Sequence, residues 1–550
     1  MMAFAALVLA AVLFKVLGNQ IFTPLSVGLA GFLWLLRFQL DGPRRRAVEI
    51  FLLQFGVLLY ALANQDPSYF EHAALVICLL PSMSRLRLIG QAALAEGSIL
   101  LVLLWVIWSA TWTSDLDMSL AGYAMSGLCL AFLVSFVLQF EGDWNKVFGQ
   151  VLIVLAAVMV GSFIAGGMGH GSAGRTFAGV TLHRNQLGFL LGLLILLSLF
   201  GLRWRFRWLH LVLALAAGGL LIYIDSKSAI IATVLTALVF LVVSARRWKL
   251  HLGVLTLGLI VFVSALPSPK MDHFALWMGR DPTFTSRTEI WADSLRLAAR
   301  QPFTGYGYNA VWSAHENRLA QFPDAPGPRY AHAHNAWIDW VLQLGIGGLA
   351  AYGLFLGVLL MRAWQRSRDK KRDGARDRPL DRAPDPGGLA VAIQAASLLL
   401  YVQVYDLANV STVPVTRFGF FMLATATLSL WLMSEAAQVQ RLKGLTRDTP
   451  IDAWADGSFG AARPHARRRW VSALALIMVG LTAMTAYAIW EDGRAFAATE
   501  RRHTPAPNGV SAASYLDLRQ FQWKSPEKLA DYARRHRESL QDLMRRSEAP

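Results

Sequence analysis

The chain has 550 residues, 55% of them hydrophobic and 16% charged, and its mean hydropathy of +0.41 excludes a soluble globular enzyme. A formal net charge of +16 would suit a nucleic-acid partner, but most arginines fall in short segments between apolar runs. There they orient helices and touch anionic headgroups, so membrane lipids are expected partners and nucleic acid is not.

Taken in order, the apolar runs predict spans at 3–17, 22–36, 48–63, 73–87, 97–111, 120–138, 147–166, 186–201, 208–224, 229–244, 250–266, 337–360, 389–405, 415–433 and 470–490. Most approach the roughly 20 residues that a helix needs to cross the hydrocarbon core. The expected fold class is therefore all-α, a polytopic integral membrane helix bundle of about 12–15 spans. The first run has no cleavage-site pattern after it and reads as a span, and the fourth is short and interrupted by Pro81. Cys78 and Cys129 both lie inside apolar runs and offer neither a disulfide framework nor a metal cluster.

Basic clusters at Arg44–Arg46, Arg85/Arg87, Arg203/Arg205/Arg207, Arg246/Arg247 and Arg467–Arg469 alternate with short loops at 18–20, 64–72, 112–119 and 406–414 that carry no Lys or Arg. The asymmetry predicts a cytoplasmic N-terminus and outward-facing loops at 167–185 and 267–336. The expected organisation is a transmembrane domain over 1–490, a large periplasmic loop at 267–336, a basic cytoplasmic linker at 362–388 and a soluble tail from 491 to 550. Within the large loop, 286–302 predicts an amphipathic helix on Ile290, Leu295, Leu297 and Ala298, stopped by Pro302 and followed by a turn at Gly305-Tyr306-Gly307-Tyr308. The tail predicts a second amphipathic helix from Ser525, packed on the body or lying on the membrane surface. Its side of the membrane is expected to be periplasmic.

The densest chemistry lies at His332–Gly348, HAHNAWIDWVLQLGIGG. His332, His334, Asn335 and Asp339 stand where an apolar run begins, Trp337 and Trp340 suit an interfacial aromatic belt, and Gly345, Gly347 and Gly348 permit close packing. A histidine here can exchange a proton near neutral pH, as a general base must. Two more patches face the same cavity: Arg175 with His183-Arg184-Asn185, and the turn Asp225-Ser226-Lys227-Ser228. The large loop adds Arg287 and Glu289. Cations at the mouth of a bilayer fit a diphosphate, since an Arg fork binds phosphate oxygens two at a time.

Bland alternatives stand beside each. Arg175 and Arg184 also suit snorkelling to headgroups, Lys227 a hairpin, and Arg287 a local pair with Glu289 or Asp293. His183 reads as an ordinary loop residue. Asp339 either orients a histidine or caps the span. His332 and His334 offer two zinc ligands but no third has suitable spacing, so no metal and no cofactor is expected.

His334-Asn335, nine residues, then Gly345-Ile346-Gly347-Gly348 resembles the H-N-x9-G-x-x-G pattern of the O-antigen ligase and polymerase superfamily of WaaL-, Wzy- and ExoQ-like proteins. Arg287-Thr288-Glu289-Ile290-Trp291 with Pro302 and Gly305-x-Gly307 resembles its R-T-x-x-W…P…G-x-G segment. Gly179…His183-Arg184-Asn185…Gly188 is similar to a segment of the ExoQ-like polymerases. The resemblance covers roughly 175–348. It implies a GT-C-like, metal-independent, inverting glycosyltransferase of the bacterial inner membrane with its active site on the periplasmic side. The donor it implies is an undecaprenyl-diphosphate-linked glycan, and the acceptor is a glycan or lipid A–core. Carried across, His334 is the base, Arg287 a diphosphate ligand, and Lys227 occupies the family's arginine position as a point charge. Arg184, Arg175, His332, Asn335 and Asp339 complete the expected substrate-binding set. Polymerase is the preferred reading, from the His183-Arg184-Asn185 segment. Ligase is the alternative. A flippase would place charges mid-span, where Lys15 and Glu96 are the candidates. A structural partner of a secretion complex would not need the histidine and arginine constellation.

Overall fold

The computed structural model describes residues 19–40, 42–62, 76–79, 90–92, 96–113, 115–167, 172–173, 176–181, 183–202, 207–244, 287–312, 332–368, 388–412 and 417–443. Its helices are α1 (Asn19–Leu36), α2 (Gly42–Leu62), α3 (Gly97–Trp108), α4 (Leu116–Gln139), α5 (Trp144–Gly167), α6 (Arg184–Gly201), α7 (Arg207–Tyr223), α8 (Lys227–Ser244), α9 (Arg287–Ala298), α10 (Ala336–Arg368), α11 (Gly388–Asp406) and α12 (Phe418–Lys443). A two-residue antiparallel ladder, β1 (Ser172–Ala173) with β2 (Thr176–Phe177), precedes α6.

The protein is an all-α polytopic membrane protein. Helices α4, α5, α6, α8, α10 and α11 are long and apolar enough to cross a membrane, and α3, α7 and α12 are shorter apolar helices. The expected spans from 22–36 to 415–433 coincide with helices wherever they fall on described residues, apart from 73–87, of which only 76–79 is described. The spans at 3–17, 250–266 and 470–490, the tail and Arg175 lie outside the described residues. Residues 362–368, expected in the linker, belong to α10, which runs on to Arg368.

The core is built on α10, which packs against α11, α3 and α12, while α11 also meets α8, and α6 meets α7 and α8. Small residues let these backbones approach. Gly192 of α6 lies against Thr233 of α8 and Tyr401 of α11, whose hydroxyl donates to Phe189 O at 2.8 Å.

The feature that positions the site is a break in α10. Gly345 has φ +65° and ψ −171°, which L side chains rarely adopt, so the run predicted as one span is two helical segments, 336–344 and 346–368. The first folds back onto the second. Trp340 stacks on Tyr352 with ring centroids 4.6 Å apart, although twelve residues of straight helix would separate them by about 18 Å. Trp340 is consequently 1% exposed and belongs to the core, not to an interfacial belt as the sequence suggested.

The segment after α9 fills the break. Tyr306 N donates to Leu342 O at 3.1 Å, Gly307 N to Gln343 O at 2.9 Å, and Ile346 N to Pro302 O at 2.7 Å. Trp105 of α3 caps Leu344 O at 3.0 Å, and its ring lies against Gly347 and Gly348. Backbone groups freed by the kink are thus paired, as a low-dielectric setting demands. The glycines at 305 and 307, both with positive φ, are where the expected turn forms. Helix α9 also forms as expected, but its inner face is Ile290, Ser294, Leu297 and Ala298. Leu295 is 52% exposed, because it sits one position off the 290–294–297/298 stripe.

Candidate active site

Helices α6, α8, α9, α10 and α12 all begin at one end of the bundle, around the loop that follows α11, residues 407–412. Asn335 Nδ2 donates to Leu407 O at 3.1 Å, and Arg287 Nη1 donates to Ala408 O. Asn185 Nδ2 donates to Asn409 Oδ1 at 3.1 Å, Ser226 Oγ to Asn185 Oδ1 at 3.0 Å, and Asn409 Nδ2 to Ser228 Oγ. Asp406 fixes the loop itself, accepting from Ser411 N at 2.7 Å and Thr412 Oγ1 at 2.6 Å. Helix N-termini carry the positive end of the helix dipole and unpaired N–H groups, so their convergence favours an anion.

At the centre stands the arch His332-Ala333-His334. His334 has φ +55°. Its N–H donates to His332 Nδ1 at 3.1 Å, and the two rings meet edge-on with centroids 4.2 Å apart. Ala333 N–H donates to both Asp339 oxygens at 3.3 and 3.2 Å, and Ala333 O accepts Trp291 Nε1 at 3.0 Å. Arg287 and Trp291, four residues apart on one face of α9, therefore reach the loop and the arch respectively, which is why the motif has that spacing. The nine residues between Asn335 and Gly345 are the short helical segment of α10. Asn335 caps it, its Oδ1 accepting from Trp337 N at 3.0 Å and Ile338 N at 3.2 Å.

The expected residues are largely brought together, with different tasks. Asp339 holds the backbone of the arch and accepts Trp312 Nε1 at 2.8 Å. Asn335 is committed to the cap and to Leu407. Arg184 opens α6 half-buried, beside His183, whose Nδ1 accepts Asn185 N at 3.1 Å and so caps α6. Lys227 opens α8 and pairs with Asp225 at 2.6 Å across a turn in which Asp225 has φ +54°. Its neighbour Ser226 joins it to the asparagine network. Asp293, one of the carboxylates offered for Arg287, pairs instead with Arg296 at 3.2 Å.

Two residues here had not been singled out. Arg417, one residue before α12, acts electrostatically on Asp339, Asp406, His332 and His334. Asp406 is the other. The sequence signal for Arg417 is a cation at the mouth of a predicted span, next to a short loop (406–414) that carries no Lys or Arg.

The electrostatics keep the histidines neutral. Burial, then the charges of Arg287, His183 and Arg417, lowers His334 to about 4. Burial, the His334 ring and the same arginines hold His332 well below the usual imidazole range. His183 is lowered by burial and by Arg184 and Arg287. His334 Nδ1 is enclosed and has no hydrogen-bond partner among the described residues. Among the described residues, no three His, Cys, Asp or Glu side chains are grouped to hold a metal ion.

Residues 212–353, which include the 225–228 turn, α9, the arch and the Gly345 break, match a family model described as O-antigen ligase. The chain is also similar to the exopolysaccharide production protein ExoQ of Rhizobium meliloti (strain 1021), at 26% identity over 219 residues, 36% of this chain and 49% of that protein. The chain thus spans about half the length of that relative. Over these stretches the chain is similar to the O-antigen ligase family and to a protein of exopolysaccharide production.

Proposed function

We propose that the protein is a membrane glycosyltransferase that moves a glycan from an undecaprenyl-diphosphate carrier onto an acceptor sugar hydroxyl, as a surface-polysaccharide polymerase on the periplasmic face of the inner membrane. The observation that carries this reading is the convergence of helix N-termini, Arg287 and Arg417 around a neutral His334 held in a left-handed turn.

In this reaction His334 accepts the proton of the acceptor hydroxyl while that oxygen attacks the anomeric carbon. The bond from that carbon to the diphosphate oxygen breaks on the opposite face, so configuration inverts. The departing diphosphate takes the electron pair, and Arg287 and the helix N-termini offset its charge. A diphosphate is a good leaving group, so no general acid is required. Burial and the neighbouring guanidiniums make the His334 imidazole by itself a weak base. A bound diphosphate counters the guanidiniums, raising the basicity of His334 towards working pH when the donor is in place.

The ExoQ similarity and the His183-Arg184-Asn185 segment favour polymerase, whereas the description of the matching family model favours ligase as a second reading. Incubating purified protein with lipid-diphosphate-linked repeat unit alone separates them. Longer lipid-linked chains are expected. Reaction only after lipid A–core or another acceptor is added would reject the polymerase assignment and keep the transferase one.

A further inference from the structure

We propose that His332 is a positioning residue for this transfer, whose Nδ1, by accepting the His334 N–H, fixes the His334 ring without touching substrate. The inference rests on the reading of His334 as the base.

A non-glycine residue at positive φ is strained and persists only where its surroundings over-determine it. Around His334 they do. Ala333 N–H is held by Asp339, Ala333 O by Trp291, and His334 N–H by His332 Nδ1. The last bond runs from a side chain to the N–H two residues on, the geometry that Asn and Asp adopt in Asx turns. The chain makes the same contact a second time, from His183 Nδ1 to Asn185 N at the start of α6. Both neighbouring histidines thus spend Nδ1 on backbone, whereas His334 Nδ1 has no partner among the described residues. Such acceptance requires a lone pair on Nδ1, so a proton there breaks the bond. The groups that act on His332 are the His334 ring, Arg417 before α12, Arg287 of α9 and His183 before α6, and all of them oppose that proton.

Asparagine places its Oδ1 close to where histidine places Nδ1, and glutamine does not. Turnover and donor KM should therefore be measured on His332→Asn, His332→Gln and His332→Ala with a lipid-diphosphate-linked donor, thermal unfolding serving as the fold control. Expected is near-native kcat for the Asn variant, with kcat lowered about 10–100-fold for Gln and Ala at unchanged donor KM. An Asn variant as impaired as Ala, a Gln variant as active as Asn, a native rate for Ala, or a loss confined to KM would each overturn the positioning role. His334→Ala, run alongside, separates the two claims. If it keeps native turnover, the base assignment fails and takes this proposal with it; if it is inactive while His332→Ala is native, only the positioning role is lost.

Discussion

Two regions of the molecule set arginines against buried carboxylates, and they use them differently. At the end away from the arch, about 25 Å along α10 from the Gly345 break, Arg362 pairs directly with Glu96 at the start of α3 and donates to Thr427 O of α12 at 3.0 Å. Ser98 donates to the same carboxylate at 2.5 Å. There the guanidinium and the carboxylate answer each other directly, and three helices are tied together. At the arch, Asp339 and Asp406 spend their oxygens on N–H and hydroxyl groups, and no direct ion pair joins them to Arg417 among the described residues. Arg287 and Arg417 both stand there, where helices begin. Closed pairing makes an anchor; on the reading proposed above, guanidiniums beside neutral imidazoles make a site for an anion.

That contrast is open to direct attack. The largest effect is expected for His334→Ala, which should cut turnover about 10²–10⁴-fold with normal folding; near-normal product would remove His334 from the chemistry. Next is Arg287→Ala, expected to lose about 10²–10³-fold as one charge-stabilising donor is removed, with Arg287→Lys only partly restoring it because the planar fork is gone. An Arg287→Ala variant with native turnover and KM would mean that the diphosphate binds elsewhere.

Glu96→Ala sharpens the comparison from the other end. Leaving Arg362 buried without its partner should cost about 3–5 kcal/mol of stability, while turnover per folded molecule stays within about twofold. A turnover loss at unchanged stability would erase the distinction between anchor and site. The smallest effect concerns pH. The free protein keeps His334 neutral down to about 4, so kcat/KM should hold from neutral pH until that region and fall below it. Bound diphosphate raises the pKa of the imidazole, so the acid limb of kcat should lie at higher pH than that of kcat/KM. Coincident limbs would show that the donor does not offset the guanidiniums.

Much of this was legible in the sequence, because hydrophobic runs and cation placement are properties of composition. The helices over described residues fall where apolar runs predicted them, and His334 and Arg287 come to one end of the bundle. What was not legible depends on backbone direction. Gly345 inside an apolar run reads as a packing glycine, and only its positive φ reveals the fold-back that buries Trp340. The loop at 407–412 looked inert by its lack of Lys and Arg, yet its carbonyls and Asn409 tie the site together. His332 and His183 looked like ligands or loop residues, since no residue pattern reports an imidazole nitrogen turned onto its own chain.

The nine-residue segment between Asn335 and Gly345 also acts as a gauge of phase. An α-helix advances about 100° and 1.5 Å with each residue. One residue inserted or removed there would swing the His334 end by more than a quarter turn about the segment axis, while Trp340 stayed clamped on Tyr352. The spacing therefore stores an angle as well as a length, and substitutions within the segment should be tolerated far better than a change in its count.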